Sequence, residues 1–174
     1  MIKLDKACVK QAIEGFRKNK VVTINDLLSS MHCSTITVRR YLKQWHAITS
    51  YNKNGRYYVL PDIPKFNEYG LWQYKTIRFS KYGSLNRTII HLVEDSLSGM
   101  NASEIGHLVA MNPHPILSRL TRESALQRKK VSGVFVYFSV NEKRLNNQFQ
   151  KRLEIRIPES VGLPSDTVGV AILV

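Results

Sequence analysis

The residues best placed to do chemistry are cations. Arg39, Arg40 and Lys43 lie in the stretch Ser34–Trp45, STITVRRYLKQW, where Val38, Leu42 and Trp45 recur at i, i+4 and i+7. That is the spacing of one face of a helix, and it leaves Thr35, Arg39, Arg40 and Lys43 on other faces. A short helix that is apolar towards its own domain and basic towards solvent suits a DNA major groove, where cationic side chains meet base edges and phosphates. Lys53 and Arg56 flank Asn54-Gly55 soon afterwards, and Arg128, Lys129 and Lys130 form a second basic run.

Other chemistries find little support. Two-metal phosphoryl transfer needs clustered carboxylates, but Asp5, Asp26, Asp62, Asp95 and Asp166 are scattered, and three of them read as helix caps. Glu94-Asp95 is the only adjacent acidic pair. The chain has no P-loop, no GxGxxG and no local Ser-His-Asp or Cys-His arrangement. His32, His46, His91, His107 and His114 form no HxxxH pair, and His32-Cys33 lacks further ligands. With only Cys8 and Cys33, far apart, neither a disulfide framework nor a zinc site is indicated. The expectation is a protein without catalysis, metal or cofactor.

Charge points the same way. The 174 residues carry 26 Lys+Arg against 13 Asp+Glu, a net charge of +13. A large positive excess on a folded chain calls for a polyanion. Residues 1–60 hold 11 cations and 3 acids, so the first third dominates attraction to phosphates. Apolar content of 43% supports a packed core. No run of about 18 apolar residues predicts a membrane span, and MIKLDKACVK has no signal-peptide core. A cytoplasmic location is the default expectation.

The elements that must position these cations read as follows. Asp5 caps a first helix to about Lys18, with Val9, Ile13 and Phe16 buried. Val21–Thr23 is a short strand able to pair with a later hairpin. Asn25 caps a helix through Met31, and Ser34 caps the basic helix to Trp45. Residues 47–51 and 56–60 form a hairpin whose Asn54-Gly55 predicts a type I′ turn. Pro61-Asp62-Ile63-Pro64 marks a boundary. Residues 61–83 read as an aromatic, basic linker with Leu71–Phe79 as one extended strand. Phe66, Tyr69, Trp72, Tyr74, Phe79 and Tyr82 there either stack on single-stranded bases or seal an interdomain seam.

From Ser84 the plan repeats. Leu85, Ile89, Leu92 and Val93 line a helix to about Leu97, stopped by Gly99. Asn101 and Glu104 form a capping box before a helix burying Ile105, Leu108 and Val109. Pro115 suits the start of a helix Ile116–Ser124, and 126–130 and 134–139 flank Val131-Ser132-Gly133 as a hairpin. Val38, Leu42 and Ile48 have the same spacings as Ile116, Leu120 and Leu126. On that alignment Arg39, Arg40 and Lys43 correspond to Leu117, Ser118 and Thr121, while Arg119 and Arg122 match Tyr41 and Gln44. The second unit then contacts only backbone, through Arg128, Lys129 and Lys130, or binds protein. Asn141 caps a last helix with Leu145, Phe149 and Leu153 on one face, suited to homodimerisation or to packing on its own domain. Beyond Pro158 and Pro164, Ser165-Asp166 reads as a cap for the apolar TVGVAILV, as in a fragment of a longer chain or a tail needing a partner.

Ser34, Thr37, Val38, Arg39, Arg40, Tyr41 and Leu42 resemble the S-x-x-T-V-R-R-Y-L recognition-helix pattern of the winged helix-turn-helix superfamily, and NKNGRYYVL resembles its wing. The resemblance covers about residues 3–60 and, more weakly, 84–139. It implies an α+β fold of two tandem winged helix-turn-helix domains (1–60 and 84–140) joined by the linker and followed by the C-terminal segment 141–174. It implies sequence-specific binding of double-stranded DNA, as in a transcriptional regulator, often by dimers. Carried over, Ser34, Thr35, Ile36, Arg39 and Arg40 face bases or nearby phosphates, and Lys43 a phosphate. GLWQYKTIRFSKYG, IIHLVEDSLSG and GVFVYFS are similar to an accessory DNA-binding region associated with some bacterial mobile-element transposases. A protein-interaction module is the third reading; it predicts weak salt dependence of any DNA binding, against the steep dependence of a phosphate-contacting protein.

Overall fold

The computed structural model describes residues 5–155, so the expected Pro158–Pro164 loop, Ser165-Asp166 cap and apolar TVGVAILV lie outside the described residues. The class is α+β, with seven α-helices and three small antiparallel sheets among the described residues. The first run comprises α1 (Lys6–Asn19), β1 (Val22–Thr23), α2 (Ile24–Met31), α3 (Thr35–Gln44), β2 (Ile48–Thr49) and β3 (Tyr57–Val59). A hairpin follows, β4 (Leu71–Tyr74) and β5 (Ile77–Ser80). The second run comprises α4 (Leu85–Asp95), β6 (Met100–Asn101), α5 (Ala102–Val109), α6 (His114–Arg122), β7 (Gln127–Val131) and β8 (Val134–Phe138), then α7 (Glu142–Ile155). The strand orders β1-β3-β2 and β6-β8-β7 are the same arrangement twice.

The repeat extends to backbone detail. The α2 cap Thr23 and the α5 cap Asn101 stand 78 residues apart, and each closes a capping box, with Asp26 and Glu104. The left-handed His32 and Ala110 that end these helices keep the same separation, as do His46 and Ser124 after the third helices. Each half has its own core. Ala12, Phe16, Leu27, Met31, Val38 and Leu42 build the first; Leu85, Ile89, Ile105, Val109, Leu117 and Leu120 contribute to the second.

Several local expectations are corrected. Thr23, not Asn25, caps α2: its hydroxyl accepts from the Asp26 N–H, and Asp26 Oδ2 accepts from the Thr23 N–H at 2.7 Å. Asn25 lacks an acidic N3 partner. In α1 Ala12 and Phe16 are the buried pair, with Val9 and Ile13 half-buried. The Asn54-Gly55 turn is not a two-residue type I′ turn. The Ser50 N–H donates to Tyr57 O, and the intervening loop carries Lys53, Asn54 and Gly55 at successive positive φ. A two-residue turn with both φ positive occurs instead at Ser132–Gly133, between the paired Val131 and Val134.

Leu71–Phe79 is two strands folded at Lys75–Thr76, not one, with Tyr74 paired to Ile77. Helix α3 stops at Gln44 and α4 at Asp95, before the expected ends. Gly99 does not stop α4; its φ of 66° and missing side chain let Phe138 sit against it. Helix α6 begins at His114 and ends at Arg122. It buries Leu117 and Leu120, whereas Ile116 is only half-buried, so the Val38 position is not matched in burial. In α7 the buried pair is Leu145 and Gln148, while Leu153 is exposed.

The first hairpin is part of the seam between the halves. Tyr51 donates its hydroxyl to Val109 O at 3.1 Å and packs against the second core. Asn52, almost fully buried, donates to Thr76 O at 2.8 Å and accepts from the Arg78 N–H at 2.9 Å. Ser80 and Thr88, both without exposure, join β5 to α4 through their hydroxyls. Of the linker aromatics, Trp72 lies against Tyr74 and Phe79 within the β4–β5 hairpin, Tyr82 stacks on His91 of α4 with centroids 4.0 Å apart, and Tyr69 is exposed. Among the described residues no helix is long and apolar enough to cross a membrane.

Candidate nucleic-acid interface

Helix α3 is built to present one basic face. Ser34 starts it, its Oγ accepting from the Thr37 N–H. Val38 and Leu42 turn inward, and Tyr41 and Trp45 pack at the margin, Trp45 edge-on to Phe16 with centroids 6.2 Å apart. What remains outside is Ile36, Arg39, Arg40 and Lys43, spaced i, i+3, i+4 and i+7, a single stripe. All four are exposed, as are Ser34 and Thr35. The helix contains no acid, and Arg39, Arg40 and Lys43 form no ion pair among the described residues. Ile36 is 81% exposed, an apolar side chain held in water at the start of a cationic stripe.

The electrostatics leave that stripe unneutralised. The described residues hold two ion pairs, Lys10–Glu14 along α1 and Arg152–Glu104 between α7 and α5, and neither touches α3. Behind the stripe, burial pushes the Cys33 thiol up, nearby Cys8 adds to this, and Arg40 partly offsets it. A thiol so held is a poor nucleophile or metal ligand. No group of three His, Cys, Asp or Glu able to hold a metal occurs among the described residues.

The remaining cations divide by element. Lys53 and Arg56 are exposed on the first hairpin's loop, but the neighbouring Tyr51 and Asn52 hold that loop to β5 and α5, so it is not a free tip. Arg119 and Arg122 are exposed on α6, where Arg119 donates to Asn86 Oδ1 of α4. Leu117 takes the position of Arg39 and is fully buried, so α6 has no counterpart of the cationic stripe. Arg128, Lys129 and Lys130 are all exposed on β7, but on two faces. Lys129 lies over Phe149 of α7 at 5.0 Å, whereas Arg128 and Lys130 lie over Phe135 at 4.5 and 5.9 Å.

Sequence reading missed four residues that set this surface. Tyr51 and Asn52 orient the halves, and Gln148 fixes α7; their partners are backbone groups far away in sequence, which no local pattern reveals. Phe135 sits in the continuous apolar run VFVYF, where no alternation tells its exposed ring from the buried Val136, Tyr137 and Phe138 that follow. Set against known proteins, the chain matches no family model and no curated protein.

Proposed function

We propose that the protein is a site-specific double-stranded DNA-binding protein, in the manner of a transcriptional regulator, made of two tandem winged helix-turn-helix domains. Helix α3 lies in the major groove, with Arg39 and Arg40 reading base edges and Lys43 and Ser34 on phosphates. Lys53, Arg56 and the cations of β7 approach the backbone. The observation that carries this reading is the stripe Ile36, Arg39, Arg40 and Lys43, exposed and unpaired by acids among the described residues. Arginine suits guanine O6 and N7, and an exposed aliphatic side chain suits a thymine methyl group.

Leu145, Gln148 and Phe149 of α7 pack on its own half, whereas Leu153 and Ile155 of the same helix are exposed; a homodimer through this segment is the partner proposed besides DNA. The test is selection from a random duplex pool at near-physiological salt, followed by sequencing. An enriched motif is expected, and a palindrome would report a dimer. Arg39→Ala with Arg40→Ala should lower specific binding by about 1–3 kcal/mol per lost base contact and nonspecific binding less. Equal losses on specific and nonspecific DNA would count against base readout. No recovery of DNA at all would sink the reading and favour a protein partner.

A further inference from the structure

The hairpin β7–β8 carries an aromatic ring that belongs to none of the apolar clusters. Its one face is covered: Val131, Val136 and Phe138 pack with Leu145 and Phe149 of α7. On the other face Tyr137 enters the second core. Phe135 shares the face of Tyr137 but lies two residues nearer the tip, outside all three apolar clusters, and is 47% exposed, with Val134 beside it 40% exposed. Two cations frame the ring. Lys130 is its direct cross-strand partner, and the Arg128 guanidinium lies 4.5 Å from its centroid.

Edge protection accounts for part of this. In the order β6-β8-β7, β7 is an edge strand, and cations on an edge discourage strand addition. That explains Arg128 and Lys130 but not a half-exposed phenyl ring, which a polar side chain would replace without loss to either core. The second half also differs from the first in where its cations are. Its third helix has no basic stripe, and its densest cationic cluster is here.

We propose that, on duplex DNA, the tip of β7–β8 enters the minor groove and Phe135 presses on a base step as an apolar wedge, with Arg128 and Lys130 on the flanking phosphates. Apolar wedges between base steps bend the duplex towards the major groove, and the cations complement its charge. The two-residue turn at Ser132–Gly133 keeps the tip narrow. The first hairpin is not equivalent, because Tyr51 and Asn52 fasten its loop to the seam. The halves thus divide the work: α3 reads sequence, and the second hairpin deforms the duplex. This inference rests on the DNA-binding reading above.

The test uses the full chain and a duplex labelled at both ends, either the selected site or, without enrichment, a mixed-sequence duplex. Affinity and end-to-end energy transfer are read together. Phe135→Ala should weaken binding about tenfold and abolish the bend, since one buried interface aromatic is commonly worth that much. Phe135→Leu, still apolar, should keep most of both. Arg39→Ala with Arg40→Ala should lose sequence preference yet still bend the DNA it binds. A Phe135→Ala protein that binds and bends like wild type overturns the wedge, and so does weaker binding with an unchanged bend. If wild type binds no duplex, the wedge falls together with the DNA reading, whereas a wild type that binds duplex without bending it overturns the wedge and leaves that reading standing.

Discussion

Replacing Gln148 with Leu should destabilise the second half more than any surface change in this chain. Gln148 is 1% exposed. Its Oε1 accepts from the Ser139 N–H at 3.0 Å, and its Nε2 donates to Val93 O at 2.7 Å and Ser96 O at 2.9 Å. Leucine has a similar volume, so no large cavity opens and the loss is polar. Val93 O keeps the Ser96 hydroxyl as a donor at 2.9 Å, and Ser96 is only half-buried. Ser139 is fully buried and its N–H is left without a partner, which costs about 1–3 kcal/mol, with about 1 kcal/mol for each other bond lost. The sum is about 3–5 kcal/mol, or about 6–20 °C in Tm for a chain of this size. Gln148→Glu should be worse at neutral pH, because a buried carboxylate would face two carbonyl oxygens. Burial and those oxygens raise its folded pKa above the unfolded value. The deficit is therefore present above the folded pKa and is relieved as pH falls through it. Urea unfolding followed by circular dichroism measures this. Trp45 and Trp72 lie outside the second half, so tryptophan fluorescence should move less. A Gln148→Leu midpoint within about 0.5 kcal/mol of wild type, the range of an ordinary surface change, would refute the reasoning.

Three further outcomes follow from the seam and the second core. Tyr51→Phe should cost about 1 kcal/mol by removing the hydroxyl that bonds Val109 O. Burial pushes the Tyr51 phenol up, with Arg78 partly opposing, so its contribution is present at neutral pH and lost as pH rises through its folded pKa, above about 10. Paired urea titrations should show wild type and variant converging there. Asn52→Ala leaves Thr76 O and the Arg78 N–H without their buried partner; about 2 kcal/mol should be lost, and fluorescence and circular dichroism transitions should separate as the halves uncouple. Gly99→Ala sets a Cβ 2.6 Å from the Phe138 ring at a φ of 66°, for a loss of about 2–4 kcal/mol in thermal unfolding.

Most of the local structure was legible because it is written in side chains close in sequence. Ser34 and its helix, the Asn101–Glu104 box and the doubled order of elements all depend on contacts within a few residues. The cationic stripe was legible for the same reason, since Val38 and Leu42 turn one face of α3 inward and Arg39, Arg40 and Lys43 are left outside. Errors arose where two local answers competed. Thr23 outdid Asn25 because Asp26 stands three residues after Thr23, as a capping box requires. Asn54-Gly55 favoured a tight turn, but Tyr51 and Asn52 found partners in α5 and β5, and those bonds opened the loop.

The sequence by itself therefore determined the α+β order of elements, the repeat, the excess of positive charge and the basic outer face of α3, because periodicity, capping and charge are local or additive properties. Only the tertiary structure decided that the first hairpin is bound into the seam, that Gln148 anchors α7 beside Leu145 and Phe149, and that Phe135 stands out between Arg128 and Lys130. Each of these depends on which distant backbone group or core lies within a few ångströms, and chain spacing carries no record of that.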